Sequence, residues 1–417
     1  MAARSRYRSR YRSRRGRGGG FSASSVVAVV AVLALAGAVT WYVVNENDDG
    51  PDDLGAAQGC PTEPGKVAIA YGARANSPAP FLPDEIVDLL KATADAEKEI
   101  VVYRVDGDPT EAFRNRFSSL TRPKKPRELE VEDYVGRVEQ LLTGIRPVEP
   151  EAAPLAAVTL AARDTRPGDT VILIDSGLQT VAPLDFRTPG WLLAEPDDVV
   201  TSLAEARAIP DLVGRRVILL GIGDTIEPQQ DLDGPRRDNL IDIWEAIVAA
   251  SGATCVEVLP YPPRDETPIP GVVPVSEVPI PQPEPPAMVS CGDDLVLYNG
   301  EAVGFEPDQA IFRDREGAAR FLQPYVELIR NEERRVHLIG TTARWGSEQG
   351  QRDLALRRAE AVKALLVEMG VPADWITTEG AGSYSDYYQP DGGPDGTLDP
   401  GVAALNRSVI LQMFCDV

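Results

Sequence analysis

Carboxylates, glycines and hydroxyls gather after four short apolar runs: Gly72-Ala73-Arg74-Ala75-Asn76-Ser77, Asp106-Gly107-Asp108, Asp175-Ser176-Gly177 and Gly221-Ile222-Gly223-Asp224. Such groups hold a hard cation or a phosphate when they meet beyond the carboxyl ends of parallel strands. Their composition here favours neither. The first stretch carries no carboxylate, and Gly221-Ile222-Gly223 has no third glycine and no helix directly behind it, so it is not a dinucleotide fingerprint. The chain has a single histidine, His337, and no nucleophile stands at a recognisable spacing from a base. The expectation is a protein without enzymatic activity, metal or cofactor.

Those stretches need a scaffold. Candidate strands Val67–Tyr71, Ile100–Val105, Thr170–Ile174, Val217–Leu220 and Cys255–Leu259 alternate with helix-period segments at Asp84–Glu97, Ala152–Arg163, Asp197–Ala208 and Arg236–Ala250. Alternation of this kind predicts a parallel α/β sheet in three layers over residues 66–261.

Upstream, Ser25 to Val44 runs 20 residues without a charge, enough to cross a hydrocarbon core of about 30 Å. Eight arginines and no acid precede it; beyond it lie 34 basic against 64 acidic residues. A basic flank stays on the cytoplasmic side, so the expectation is a single-pass anchor in the cytoplasmic membrane, with the carboxyl-terminal bulk extracellular or periplasmic. A cleaved signal peptide ending near Ala36-Gly37-Ala38 is the rival reading. Residues 1–24 read as a disordered arginine-rich arm and 45–65 as a tether. The span has no internal acid, which disfavours a proton-conducting stator. The acidic exported part argues against nucleic acid as a partner.

Residues 262–290 are about one-third proline and predict an extended spacer between two domains. Four cysteines in an oxidising compartment read as two disulfides with three connectivities; four buried thiols are the alternative. Cys291 and Cys415 bracket the last domain, 291–417, where a bridge between them would close it, and by default Cys60 and Cys255, at the edges of the middle domain, make the other bridge.

The last domain is the most specific. Glu316–Arg330 and Gln351–Met369 have helical apolar faces, Gly370 reads as a cap, and Val336–Ile339, Ile376–Thr378 and Val409–Met413 read as strands. Within this α+β pattern stand Gly340-Thr341-Thr342-Ala343, Gly346-Ser347, Leu354-Ala355-Leu356-Arg357-Arg358-Ala359, Gly370-Val371-Pro372 with Ile376, and Asn406-Arg407-Ser408-Val409. In order and spacing these motifs resemble the OmpA-like peptidoglycan-associated domain. The resemblance implies peptidoglycan binding through Thr342, Arg358 and Arg407, with Trp345 placed to stack on a sugar. In that family an Asp after the threonine and an Arg on the helix hold the two charged ends of diaminopimelate. Arg358 matches the Arg. The Asp position holds Ala343, for which Glu348 or Asp353 are the nearby substitutes. The loop Ser383–Leu398 is an acidic, tyrosine-bearing insertion.

More weakly, the order of elements and Val171-Ile172-Leu173-Ile174-Asp175-Ser176-Gly177 resemble von Willebrand factor A-type domains. That likeness carries over the fold and not the metal, since Asp175 stands without the first-strand carboxylate. Together the readings imply an envelope protein whose last domain meets the cell wall and whose middle domain binds an envelope protein partner. The alternative is an assembly or sensor component whose OmpA-like domain binds protein instead.

Overall fold

Val67 to Gly72 is apolar without alternation, the mark of a strand covered on both faces. In the computed structural model, which describes residues 60, 63–260, 272–281, 289–392 and 397–415, it is the central strand β1. The expected arm at 1–24, the span at 25–44 and most of the tether lie outside the described residues, as do 261–271 and 282–288. Among the described residues no helix is long and apolar enough to cross a membrane.

The first sheet holds β1 (Val67–Gly72), β2 (Glu99–Val105), β3 (Thr110–Arg116), β4 (Thr170–Ile174), β5 (Arg216–Leu220) and β6 (Cys255–Leu259), in the order β3-β2-β1-β4-β5-β6. All neighbours are parallel except β2 and β3. Side chains leave β1 alternately. Val67, Ile69 and Tyr71 pack on helices α1 (Asp84–Asp95) and α2 (Lys124–Gly144), whereas Ala68 and Ala70 join the core beneath α3 (Pro154–Asp164), α4 (Pro196–Glu205) and α5 (Gly234–Ala250). Helices therefore cover both faces, and the expected three layers are present.

Two elements were not foreseen. β3 is mostly exposed and polar, with no apolar period to betray it. Its place is fixed by charge: Arg114 meets Glu99, Glu111 and Asp164, while Lys66 meets Glu99 and Asp164. α2 buries Val131, Tyr134, Val135, Val138 and Leu142 at helical spacing, but exposed charge dilutes the signal between them.

The second sheet orders β7 (Asp294–Tyr298), β10 (Ser408–Phe414), β8 (Arg335–Thr341) and β9 (Ile376–Gly382) as β7-β10-β8-β9. β10 runs antiparallel to both neighbours, and β8 is parallel to β9. Helices α6 (Arg315–Asn331) and α7 (Glu348–Glu368) bury Leu322, Val326 and Ile329, and Val362, Leu365 and Leu366, in one core with Leu297, Leu338 and Leu411. Asp314 and Ser347 accept from the amides of Gly317 (2.8 Å) and Gly350 (3.1 Å), capping the two helices. Gly370, at φ +99°, ends α7 as expected.

The proline-rich stretch does not stand between the sheets as a free spacer. Val278 and Ile280 are buried in the core of the first domain, and Gln229 exchanges hydrogen bonds of 2.8 and 2.9 Å with the Val278 backbone. Residues 58–417 form one compact unit. The short helix α8 (Pro400–Asn406) packs on the 3-10 turn Trp191–Leu193, and its Ala404 belongs to the first domain's core. Backbones touch here: a Cβ on Gly300 would lie 2.7 Å from Leu193, and one on Gly401 2.7 Å from the Pro189 carbonyl.

Of the three connectivities, Cys60–Cys255 and Cys291–Cys415 are the pairs formed. The second joins residues 124 apart. Opening it by Cys291→Ser with Cys415→Ser is expected to lower stability by about 4–5 kcal/mol in the chain-entropy account, measured by urea unfolding. A second test concerns Asp164. Burial raises its pKa, but hydrogen bonds from Arg114, Lys66 and Tyr103 more than offset this and hold it at about 2, below the ordinary 3.8. A depressed carboxylate stabilises the fold above its unfolded pKa and loses that contribution as pH falls through the folded one. Asp164→Asn should therefore flatten the loss of stability between about pH 4 and pH 2.

Candidate functional site

At the carboxyl ends of the first sheet the chemistry closes on itself. Arg74 donates to both oxygens of Asp175, at 2.7 and 3.2 Å, and the Gly177 amide adds a third bond of 2.8 Å. The ion pair is sealed, with side chains 1% and 0% exposed. A Cβ at position 72 would come within 2.0 Å of the Asp175 carboxylate, so the glycine is what lets strand and acid meet. The guanidinium thus supplies the counter-charge that a divalent ion would bring, and the residues do not fit a metal. Asp106 is equally committed: it accepts from the amides of Val148 and Glu149 and pairs with Arg104 at 2.7 Å. Cys60, Cys255 and Glu257 cluster, but the sulfurs form a disulfide and Glu257 pairs with Arg216 at 2.6 Å.

A groove of about 530 Å³ opens at the opposite end of the sheet, lined by Lys66, Lys98, Glu99, Arg114, Arg116 and Asp164 among others. Most of its charges neutralise one another in the network that holds β3. It fixes an edge strand.

In the second domain, α7 and the entry to β10 bring Arg358 and Arg407 together, around a void with Leu297, Asn299, Phe305 and Ser408. The void is too tight to admit a water molecule. Arg358 is 4% exposed; it lies over the Phe305 ring at 5.4 Å and donates to the Gln309 carbonyl at 2.9 Å. Burial pulls its pKa down to about 10, partly countered by Glu195, so it stays a cation at neutral pH.

Asp308 of the same domain lies near Arg358, and the acids that pair with Arg313 and Arg407 come from the first domain. Glu195, at the start of α4, receives Arg313 through both oxygens (3.0 and 2.9 Å) and Asn299 Nδ2 at 2.8 Å. Asp198, in the first turn of α4, stands 2.6 Å from Arg407. That contact is a close ion pair without hydrogen-bond alignment, because Asp198 Oδ2 and Arg407 Nη1 remain buried without a hydrogen-bond partner. Arg236 reaches across in the other direction to Glu301. Burial raises the Glu301 pKa, with Arg236 opposing the shift.

Thr342 and Trp345 lie on the β8 exit loop and do not line the void. Thr342 is buried, its amide donates to the Gly382 carbonyl at 3.2 Å, and its hydroxyl has no partner among the described residues. Trp345 is 75% exposed. Gln351 ties this loop to the β9 exit: its amide donates to the Gly346 carbonyl and its carbonyl accepts from Ser383 at 2.6 Å. Tyr384, exposed beside Ser383, carries Arg352 over its ring.

The nearby substitutes for the missing acid are engaged elsewhere: Glu348 pairs with Arg352 and Asp353 accepts from Gln349. A carboxylate that does reach this loop is Asp391, from the tyrosine-bearing insertion. It is 1% exposed and accepts from the Arg344 amide at 2.8 Å, Tyr388 at 2.7 Å and Asn406 at 3.0 Å. The insertion thereby makes contacts throughout its described part. Sequence offered no signal for Asp391, or for Glu195 and Asp198. His337 bonds Thr377 at 2.8 Å across adjacent strands.

Because Arg74 and Asp175 are fully enclosed, removing one member strands a charge. Asp175→Ala is expected to cost about 3–5 kcal/mol in thermal or urea unfolding, and a double-mutant cycle with Arg74→Met should recover part of it.

Three solved structures illustrate the likeness of the second domain. The periplasmic domain of Helicobacter pylori MotB is 15% identical, covering 31% of this chain and 87% of that one, with a TM-score of 0.25. The cell wall anchor of the T6SS from Pseudomonas aeruginosa is 20% identical over 30% of this chain and 81% of that one, at 0.24. The peptidoglycan-associated lipoprotein from Burkholderia pseudomallei is 20% identical over 28% and 88%, at 0.22. Comparison with curated proteins gives no match. Residues 304–395 match the model of the OmpA family, and the carboxyl-terminal domain of this chain is OmpA-like.

Proposed function

We propose that the chain is a non-enzymatic protein of the cell envelope. Ser25–Val44 anchors it in the cytoplasmic membrane, with the amino terminus cytoplasmic. The OmpA-like domain associates with peptidoglycan through Arg358 and Arg407, with Thr342 and Trp345 on the neighbouring loop. The first domain, on a von Willebrand factor A-like sheet, serves an envelope protein partner. The strand order and single antiparallel edge support that likeness. The observation that carries the wall reading is the convergence of Arg358, inside the matched residues 304–395, with Arg407 at the entry to β10. An exposed Trp345 suits stacking on a sugar face.

A second reading has its own observation. Ala343 offers no carboxylate for an ammonium group, and the arginine cluster already meets protein carboxylates at Glu195 and Asp198. An assembly or sensor component, whose OmpA-like domain binds protein, would use the cluster in this way.

The test is retention of the full-length protein on purified peptidoglycan at low salt. Arg358→Ala is expected to lower retention ~10-fold, the scale of one charge-assisted contact. Equal retention of wild type and variant would remove Arg358 from the account. Retention by neither favours the second reading.

A further inference from the structure

Two arginines of this cluster are met by acids of the first domain. Arg313 is held in a two-oxygen clasp by Glu195, Arg407 is paired with Asp198, and Asn299 donates to the same Glu195 carboxylate. Both acids belong to one helical turn at the start of α4, and both meet residues more than a hundred positions away. The surrounding surface is built for close docking. Glycines at 300 and 401 allow backbone contact with Leu193 and Pro189, and Ala404 enters the first domain's core.

We propose that Glu195 and Asp198 are resident carboxylate ligands of the Arg313–Arg358–Arg407 cluster, so that a carboxylate-bearing wall peptide gains the cluster only by displacing the first domain. This rests on the peptidoglycan reading above for the identity of the competitor. A guanidinium selects a planar carboxylate whether it is presented by a wall peptide or by an α4 side chain. The two therefore exclude each other at these arginines, and occupancy of the wall site is coupled to the docking of the two domains. A partner that draws the first domain away would raise wall affinity, and wall binding would in turn loosen the first domain by the same factor.

The experiment compares full-length wild type with Glu195→Gln/Asp198→Asn, which keeps side-chain size while removing both charges. Two readouts are taken: modification of Arg313 and Arg407 by phenylglyoxal, followed by mass spectrometry, and retention on purified peptidoglycan. The single Asp198→Asn, checked by circular dichroism, repeats both should the double variant fold poorly. The expected result is slow arginine modification in the wild type and fast modification in the variant. Retention should rise ~10-fold, within the usual range of coupling between sites, and the gain should vanish when Arg358→Ala is added. Equal modification in both proteins overturns the proposal. Equal Arg358-dependent retention, with modification opened in the variant, overturns the competition and leaves the wall reading standing. Opened modification with no retention by any protein overturns the wall reading, and the proposed competitor with it.

Discussion

A guanidinium taken out of water has to find acceptors, and much of this molecule's architecture is the outcome of that constraint. The OmpA-like domain gathers Arg313, Arg358 and Arg407 at one end of its sheet. Its own loop offers carbonyls to Arg358, but carboxylates for Arg313 and Arg407 come from α4 of the first domain. The two halves are held together where charge would otherwise be stranded. Apolar contacts at Ala404 and the close backbones at Gly300 and Gly401 supply the fit around it.

The same rule silences the end of the first sheet where ligands usually bind. Arg74 and Asp175 satisfy each other in the dry interior, and Asp106 spends its oxygens on the 148–149 loop. Groups that look reactive in a one-dimensional reading are consumed as structural contacts. At the other end of the sheet the ion pairs of Lys66, Glu99, Arg114 and Asp164 do the work that an apolar face would do for a buried strand, pinning the polar edge strand β3. The second domain opens to solvent, among other places, at the pair of tied loops carrying Trp345 and Tyr384.

Local pattern was a good guide where burial is one-sided or complete. β1 and β4 are apolar because sheet neighbours and helices enclose them, and their limits, like those of the half-buried edge strand β6, are legible to within a residue. α6 and α7 followed their stripes, and the motif glycine at 370 capped its helix. β3 was invisible because its position depends on ion pairs with distant residues rather than on its own apolar content. α8 was missed because a helix of 7 residues has too few turns to show a period. The proline-rich stretch reads as extended in isolation, yet Val278 and Ile280 find a hydrophobic surface that only the folded first domain provides.

The three-layer sheet, the OmpA-like motifs, the default cysteine pairing and the positions of Arg358 and Arg407 can be read along the chain, from residue types and their order. Only the fold shows that Asp391 accepts from the Arg344 amide, next to Ala343, and that the arginines face Glu195 and Asp198. Those outcomes depend on which charges and surfaces meet once the chain has folded, and hydrophobic spacing along it carries no record of that pairing.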